Sequence, residues 1–182
     1  MKTPDNTKIW TPSWKFLIIT VLLGANIVLI RIIEALAKHS EILHELCMNS
    51  SNLPGGCLLC PNGWILHRDD CYYYSDVTDR TWNQSRDQCE KMGADLLVIK
   101  NQEQQEFIRR DLRQRGDDTY WIGLHHDGDG WRWVDGEHYN SGLIQIKTQS
   151  SERCVSMTKS DYYQENCRST NRWICLKKAV RI

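Results

Sequence analysis

The sequence predicts an α+β domain carried on one membrane-crossing helix and a stalk. Three observations lead to this. An uncharged apolar run, Phe16 to Ile30, stands near the N-terminus, and all eight cysteines come after residue 46. Beyond Cys60 two helical patterns come first and short strand patterns dominate afterwards, an α+β order. A tryptophan-rich stretch, Trp121 to Trp133, reads as a hairpin around which the later chain is arranged.

Composition removes one class of function at once. The chain has 182 residues, 23 basic and 23 acidic, with zero formal net charge. A nucleic-acid binder would show a basic excess. The concentration of cysteines beyond residue 46 reads as a disulfide-bearing extracellular part.

The N-terminal elements come first. Residues 1–15 form a short cytosolic tail and 16–37 a signal-anchor, since a full span needs about 20 apolar residues. Lys2, Lys8 and Lys15, against Asp5 alone, keep the N-terminus in the cytosol by the positive-inside tendency. Trp10 and Trp14 suit the headgroup level on that side. Ala35-Leu36-Ala37 has the form of a signal-peptidase site, so a cleaved signal peptide is the competing reading. Against cleavage, Arg31 and Glu34 lie between the apolar run and that site. The tail contains no tyrosine and so no tyrosine-based signalling motif.

Residues 38–59 form the stalk. Ile32, Leu36, His39, Leu43 and Leu46 recur at spacings of four and three, a short heptad seam. Cys47 follows that seam, and Cys47 and Cys57 are candidates for bridges between chains. The competing reading is a single solvated helix. His39 is either a pH sensor or a tolerated polar position. Asn49-Ser50-Ser51 is a glycosylation acceptor, and Pro54-Gly55-Gly56 ends the helix.

The domain runs over 60–176, with 177–182 as a tail. Pro61 to Gly63 turn into a strand at Trp64 to Leu66, and Arg68 to Asp70 turn into another at Tyr72 to Tyr74. Thr81 opens a helix whose face is Trp82, Ser85, Cys89 and Met92. Asn83-Gln84-Ser85 is a second glycosylation acceptor. Leu96 to Ile99 reads as an apolar strand. Asn101 caps a second helix with Gln104 as capping-box partner, and its face is Phe107, Ile108, Asp111 and Leu112. Gly116 closes it.

Tyr120 to Leu124 is a strand buried on both faces, and Gly123 within it suggests close approach of another backbone. Asp127 to Gly130 turn into Trp131 to Trp133, whose two indoles share one face while Arg132 takes the other. A long irregular stretch, Asp135 to Arg153, precedes closing strands at Cys154 to Met157 and Arg172 to Leu176. His125, His126, Asp127 and Asp129 could suggest a metal. Adjacent strand residues point to opposite faces, however, so a surface turn is the better reading. No Gly-rich phosphate loop, nucleophile elbow or paired-carboxylate site is present. No catalytic residue, metal or cofactor is expected.

Six cysteines from Cys60 onward allow fifteen pairings. Five motifs decide among them: Cys60-Pro61-x-x-Trp64, Trp82-x-x-Ser85-x-x-x-Cys89, Trp121 to Leu124, Trp131-x-Trp133 and Trp173-Ile174-Cys175. Together they resemble the C-type lectin-like domain. That resemblance implies the disulfides Cys60–Cys71, Cys89–Cys175 and Cys154–Cys167. Sugar-binding members of the family hold calcium through a proline-containing acidic-amide triplet and a tryptophan-asparagine-aspartate triplet. Here no proline lies between Trp133 and Cys154, and Tyr162-Tyr163-Gln164-Glu165-Asn166 precedes Cys167. Calcium needs six to eight oxygens, so the departure implies calcium-independent binding.

Trp121 to His125, Trp131 to Trp133, His138-Tyr139-Asn140 and Arg172 to Cys175 resemble the natural killer cell lectin-like receptors and their lectin-like ligands. The resemblance implies a disulfide-linked homodimer on the plasma membrane, binding a lectin-like or class I-like protein on another cell. A glycan-binding lectin with a non-standard site and a secreted lectin-like protein are the alternatives. Loops on a rigid scaffold usually carry recognition, which points to Gly136 to Asn166. Within it, His138, Tyr139, Arg153, Lys159, Tyr162 and Tyr163 are the candidate contacts, Tyr and Arg being frequent at hot spots. Activating members of the resembled family pair a basic membrane residue with an adaptor chain. Arg31 is the candidate for that role, with snorkelling toward Glu34 as the alternative.

Overall fold

The computed structural model describes residues 14–49, 57–116, 118–147 and 152–182, with side chains from residue 18 to 42 in the first of these stretches. The chain divides into two compact units, Met1–Cys57 and Leu58–Ile182.

The described part of the first unit is a single helix, α1 (Trp14–Asn49), of 36 residues. At 1.5 Å per residue it is roughly 54 Å long. The apolar segment and the first part of the stalk, as far as Asn49, are thus one uninterrupted element. Its segment Ile18–Ile42 is long and apolar enough to cross a membrane, and its side chains there are exposed. Arg31 pairs with Glu34 at 3.5 Å, one turn on. Pro54 to Gly56 and the serines of the Asn49 acceptor lie outside the described residues, as does the side chain of Cys47.

The second unit contains β1 (Leu58–Leu59), β2 (Ile65–His67), β3 (Asp70–Tyr74), α2 (Trp82–Lys91), β4 (Asp95–Leu96) and α3 (Gln102–Arg115). These are followed by β5 (Tyr120–His126), β6 (Trp131–Trp133), β7 (Ile146–Lys147), β8 (Cys154–Met157), β9 (Tyr162–Glu165), β10 (Arg172–Lys178) and β11 (Val180–Arg181). The main sheet runs β2-β3-β10-β5-β8-β9-β7, with β4 also on β10 and β6 on β5. Most pairs are antiparallel, but β10 runs parallel to β5 and β7 parallel to β9. The sheet is therefore mixed, with antiparallel pairs predominating.

The helices form where their caps stand. Thr81 and Gln84 make a reciprocal capping box on α2, satisfying two otherwise unpaired N–H groups. Asn101 caps α3 by accepting from the Gln104 amide at 2.8 Å. The expected return bond to Asn101 is not made. Gln104 is buried and its carboxamide instead accepts from the Lys100 N–H at 2.8 Å while donating to the Val98 carbonyl at 3.0 Å. Ile108 and Leu112 are buried as expected. Phe107 is half-buried, stacked on His67 at 3.9 Å, and Asp111 holds Arg115 at 2.6 Å.

Several strands differ from expectation. The ladder at residue 96 covers only Asp95–Leu96, although Leu97, Val98 and Ile99 are buried beyond it. Strands β7 and β9 lie within stretches read as irregular or loop. Strand β1 pairs with β11, a ladder wholly outside the expected limits 60–176 that ties the two ends of the domain together.

Two apolar clusters form the core. Trp133 belongs to one, with Ile108, Leu112, Ile122, Leu124 and Tyr162. Trp121 belongs to the other, with Trp82, Trp173 and the Cys89–Cys175 pair. The hairpin tryptophans therefore serve two cores, because Trp121 and Ile122 alternate across β5. Gly123 lies between them under close packing. A Cβ there would stand 2.7 Å from Val134 Cγ2 and 3.1 Å from the Leu96 and Leu97 carbonyl oxygens. The disulfides are Cys60–Cys71, Cys89–Cys175 and Cys154–Cys167. Cys57 is also disulfide-bonded.

Candidate functional site

The six candidate contact residues separate into two groups at opposite ends of β8. At about 3.3 Å per residue, the strand holds Arg153 and the Thr158 turn roughly 15–20 Å apart.

The first group surrounds the tip of the β5–β6 hairpin. Asp127 Oδ1 accepts from the Asp129 and Gly130 amides at 2.9 and 3.1 Å, closing the turn. Its other oxygen holds Arg132 Nε at 2.6 Å. The Asp129 amide, then that of Gly130, and Arg132 hold the Asp127 carboxyl below the usual carboxylate range. Arg132 Nη1 also donates to His138 Nε2 at 3.2 Å. Exposed His138 is thus held by the arginine on the outward face of β6. Exposed Arg153 joins the same end, its carbonyl accepting from the His126 amide at 2.8 Å. The ring of His126 meets Trp131 edge-on at 5.4 Å.

Beside this group, the residues before Cys167 are tied to one another. Glu152 Oε1 accepts from Asn166 Nδ2 at 3.1 Å, and the Glu152 carbonyl accepts from Gln164. Asn166 Oδ1 accepts from the Arg168 amide at 2.8 Å, and Glu165 Oε2 from Asn171 Nδ2 at 3.0 Å. Among the described residues, no group of three His, Cys, Asp or Glu side chains is placed to hold a metal. His125 and His126 lie on opposite sides of β5. His125 packs 5.0 Å from Trp82, and burial, then the charge of Arg86, pushes its pKa down.

The second group lies at the β8–β9 turn with exposed Lys159. Asp161 holds Lys147 at 2.9 Å and accepts from the Tyr163 hydroxyl at 3.4 Å. Lys147 also lies over the Tyr163 ring, 5.7 Å from its centre. Lys147 pulls the Asp161 carboxyl down, and Asp161 raises the lysine in turn.

Two candidates need correction. Tyr162 is 1% exposed. Pairing of β9 with β8 sets it opposite Met157 and turns it into the core, and Tyr163 opposite Ser156. Tyr162 therefore cannot contact a ligand. Tyr139 is half-buried with its hydroxyl donating to the Ile144 carbonyl, and burial raises its pKa. It braces the loop more than it presents a surface. Conversely, Arg132, Lys147 and Asp161 belong to the surface and were not among the candidates. Arg132 had a signal, its place opposite the two indoles; Lys147 and Asp161 had none.

A separate groove of about 380 Å³ lies on β3, β4, β10 and the start of α3, lined by Tyr72, Leu96, Val98, Lys100, Asp135 and Lys177 among others. Its rim charges pair internally, Lys100 with Asp135 at 2.9 Å and Lys178 with Asp70 at 2.7 Å.

Comparison with known proteins follows the same outline. Residues 78–177 match the Lectin C-type domain. The mouse protein named killer cell lectin-like receptor subfamily B member 1B allele B is 35% identical over 129 residues, 68% of this chain and 57% of that protein. This chain thus spans little more than half of that relative. The human protein named killer cell lectin-like receptor subfamily F member 2 is 29% identical over 185 residues, 98% of this chain and 88% of that one. Among solved structures, the C-type lectin domain of murine dendritic cell inhibitory receptor 2, in complex with an N-glycan, is similar with a TM-score of 0.60. It is 31% identical, and the match covers 66% of this chain and 99% of that one.

Proposed function

The chain belongs to the C-type lectin domain family, in its killer cell lectin-like receptor branch, and from that premise we propose that it is a type II plasma-membrane protein of immune recognition whose outer domain binds a protein partner without calcium. The observation that carries the reading is the commitment of Glu165 and Asn166. Glu165 Oε2 accepts from Asn171, while Asn166 Oδ1 accepts from the Arg168 amide and its Nδ2 donates to Glu152, so one oxygen of each side chain before Cys167 is engaged within the domain. Around them stand fixed charged pairs, Asp127–Arg132 and Asp161–Lys147, which suit a complementary protein face. Recognition rather than catalysis is the role.

The partner is a lectin-like or class I-like protein on another cell, and His138, Arg153, Lys159 and Tyr163 are the contacts. The chain acts as a disulfide-linked homodimer, with Cys47 and Cys57 as the bridging positions once the bond that Cys57 makes within the single chain is exchanged for one between chains, and Arg31 offers an adaptor a membrane charge. Non-reducing electrophoresis of Cys47→Ser, Cys57→Ser and the double variant tests the bridge. The double variant is expected to run as a single chain; a persisting covalent dimer removes the assignment.

The test of the main reading is multimer staining of a cell panel with residues 57–182, with and without calcium chelator. Staining unchanged by chelator is expected, and loss on chelation overturns calcium independence. A second reading is favoured by the mouse neighbour solved with an N-glycan: the domain reads glycan at the same end. Staining abolished by removing glycans from the target cells would support it.

A further inference from the structure

Because α1 is one helix from Trp14 to Asn49, its side chains keep one frame across the apolar segment and the stalk. In that frame Leu22, Leu29, Leu36 and Leu43 recur every seventh residue. Four residues after each stand Asn26, Ile33, Ser40 and Cys47, and Ile19 precedes the first leucine by three. The alternation of four and three is the a/d pattern of a coiled coil, with leucine at every d position. It shares Leu36 and Leu43 with the shorter seam read from the stalk but replaces Ile32, His39 and Leu46 with Ile33, Ser40 and Cys47. Every charged residue from 18 to 49 avoids it. Arg31, Lys38 and Glu45 fall on the opposite stripe, and Glu34 and Glu41 lie beside that stripe.

We infer that α1 is a parallel homodimer interface, its partner a second copy of this chain, with Asn26 as the buried polar residue that fixes register. The inference rests on the membrane-anchored dimer proposed above and extends it from a covalent bridge to a continuous helix seam. Two of the five a positions, Ile19 and Ile33, are isoleucine and every d position is leucine, the combination that favours two strands over three or four. A shared anchor makes the two copies parallel. The described seam residues Ile19, Leu22, Leu29, Ile33 and Leu36 are exposed, as are the apolar residues on the other faces of α1, so it is the a/d pattern and Asn26 that single out this stripe. Lipid could cover the apolar half, but not satisfy Asn26. An amide in the apolar segment needs donor and acceptor partners, and a carboxamide facing its own copy supplies both. A single polar a position costs stability while excluding slipped registers. The frame also leaves Arg31 on the outward side, so an adaptor could pair with it while the homodimer persists.

The test uses the full chain in cell membranes on a Cys47→Ser/Cys57→Ser background, so that no stalk bridge contributes. Ile33→Cys and Leu36→Cys probe the seam; Arg31→Cys and Lys38→Cys probe the opposite stripe. Oxidative cross-linking to twice the chain mass should favour the seam positions by about tenfold, since a and d side chains meet across a dimer. Asn26→Leu should spread cross-linking to neighbouring positions and Asn26→Gln should preserve the pattern. Equal cross-linking at all four positions, or a maximum at Arg31 and Lys38, overturns the interface. An unchanged pattern in Asn26→Leu overturns the register role. If the surface chain is monomeric yet still binds its partner, the seam fails and the receptor reading stands; if α1 is cleaved away, both fail.

Discussion

At Gly123 three backbones and a valine converge. The Gly123 amide donates to the Leu97 carbonyl at 2.8 Å, and its carbonyl accepts from the Val134 amide at 2.8 Å. A methyl group there would meet the Leu96 and Leu97 carbonyls, which are backbone and cannot yield freely. Gly123→Ala should destabilise the domain by about 1–3 kcal/mol, the usual cost of overpacking, measured by denaturant unfolding. His125, two residues on, gives a pH dependence. Its pKa is lowered, by burial first and Arg86 second. The folded state thus disfavours the proton relative to the unfolded chain. The stability this contributes is fully present above the unfolded histidine pKa, about 6.5, and is lost as pH falls from there toward the folded value. His125→Gln should flatten the fall in melting temperature between pH 7.5 and pH 5; an unchanged profile assigns that fall to other groups. The tyrosine pair separates core from surface. Tyr162→Ala should cost about 3–5 kcal/mol, as for other large core truncations. Tyr163→Ala should leave the melting temperature nearly unchanged and weaken partner binding.

Among the elements, β10 and β5 each pair with three other strands, and β10 also carries a disulfide. It pairs with β3, β4 and β5, and Cys175 on it is bonded to Cys89 on α2 across a separation of 86 residues. In the chain-entropy account a loop of that length is worth about 4–5 kcal/mol. Cys89→Ala/Cys175→Ala should therefore lose about 2–5 kcal/mol, the range for native bridges, measured by chemical denaturation. Elements with local signals were legible in the sequence. Thr81 and Asn101 mark their helices, and the Trp121 to Trp133 hairpin carries both its strands and its turn. Strands made by distant pairing were not. β1 and β11 are two residues each and exist through one another. Tyr162 and Tyr163 alternate in any strand, but nothing local says which faces inward until β8 fixes the register. The surface suffered for the same reason: His138 and Arg153 could be named as loop residues, while Arg132 takes its role only when His138 folds back upon it.

For the whole molecule the decisive property is which side of the membrane the domain occupies. Both acceptor sites, Asn49 and Asn83, lie C-terminal to the apolar segment Ile18–Ile42. Glycan addition occurs only on the outer side of the secretory membrane, so one orientation modifies both sites and the other neither. On the folded domain Asn83 is exposed on the first turn of α2, beside buried Trp82 and two residues before Ser85. The Ser85 hydroxyl donates to the Thr81 carbonyl at 2.9 Å, so a glycan on Asn83 leaves that bond and the helix cap intact. In the proposed type II orientation, glycosidase digestion of the expressed chain should increase mobility by two steps. Asn83→Gln and Asn49→Gln should each remove one step and the double variant both. Mobility unchanged by digestion places the domain in the cytosol and sinks the orientation. Two steps on a chain recovered from the medium, with α1 missing, would make it a secreted lectin-like protein. Two steps on a membrane-bound chain leave the receptor arrangement as the one that accounts for anchor, disulfides and modification together.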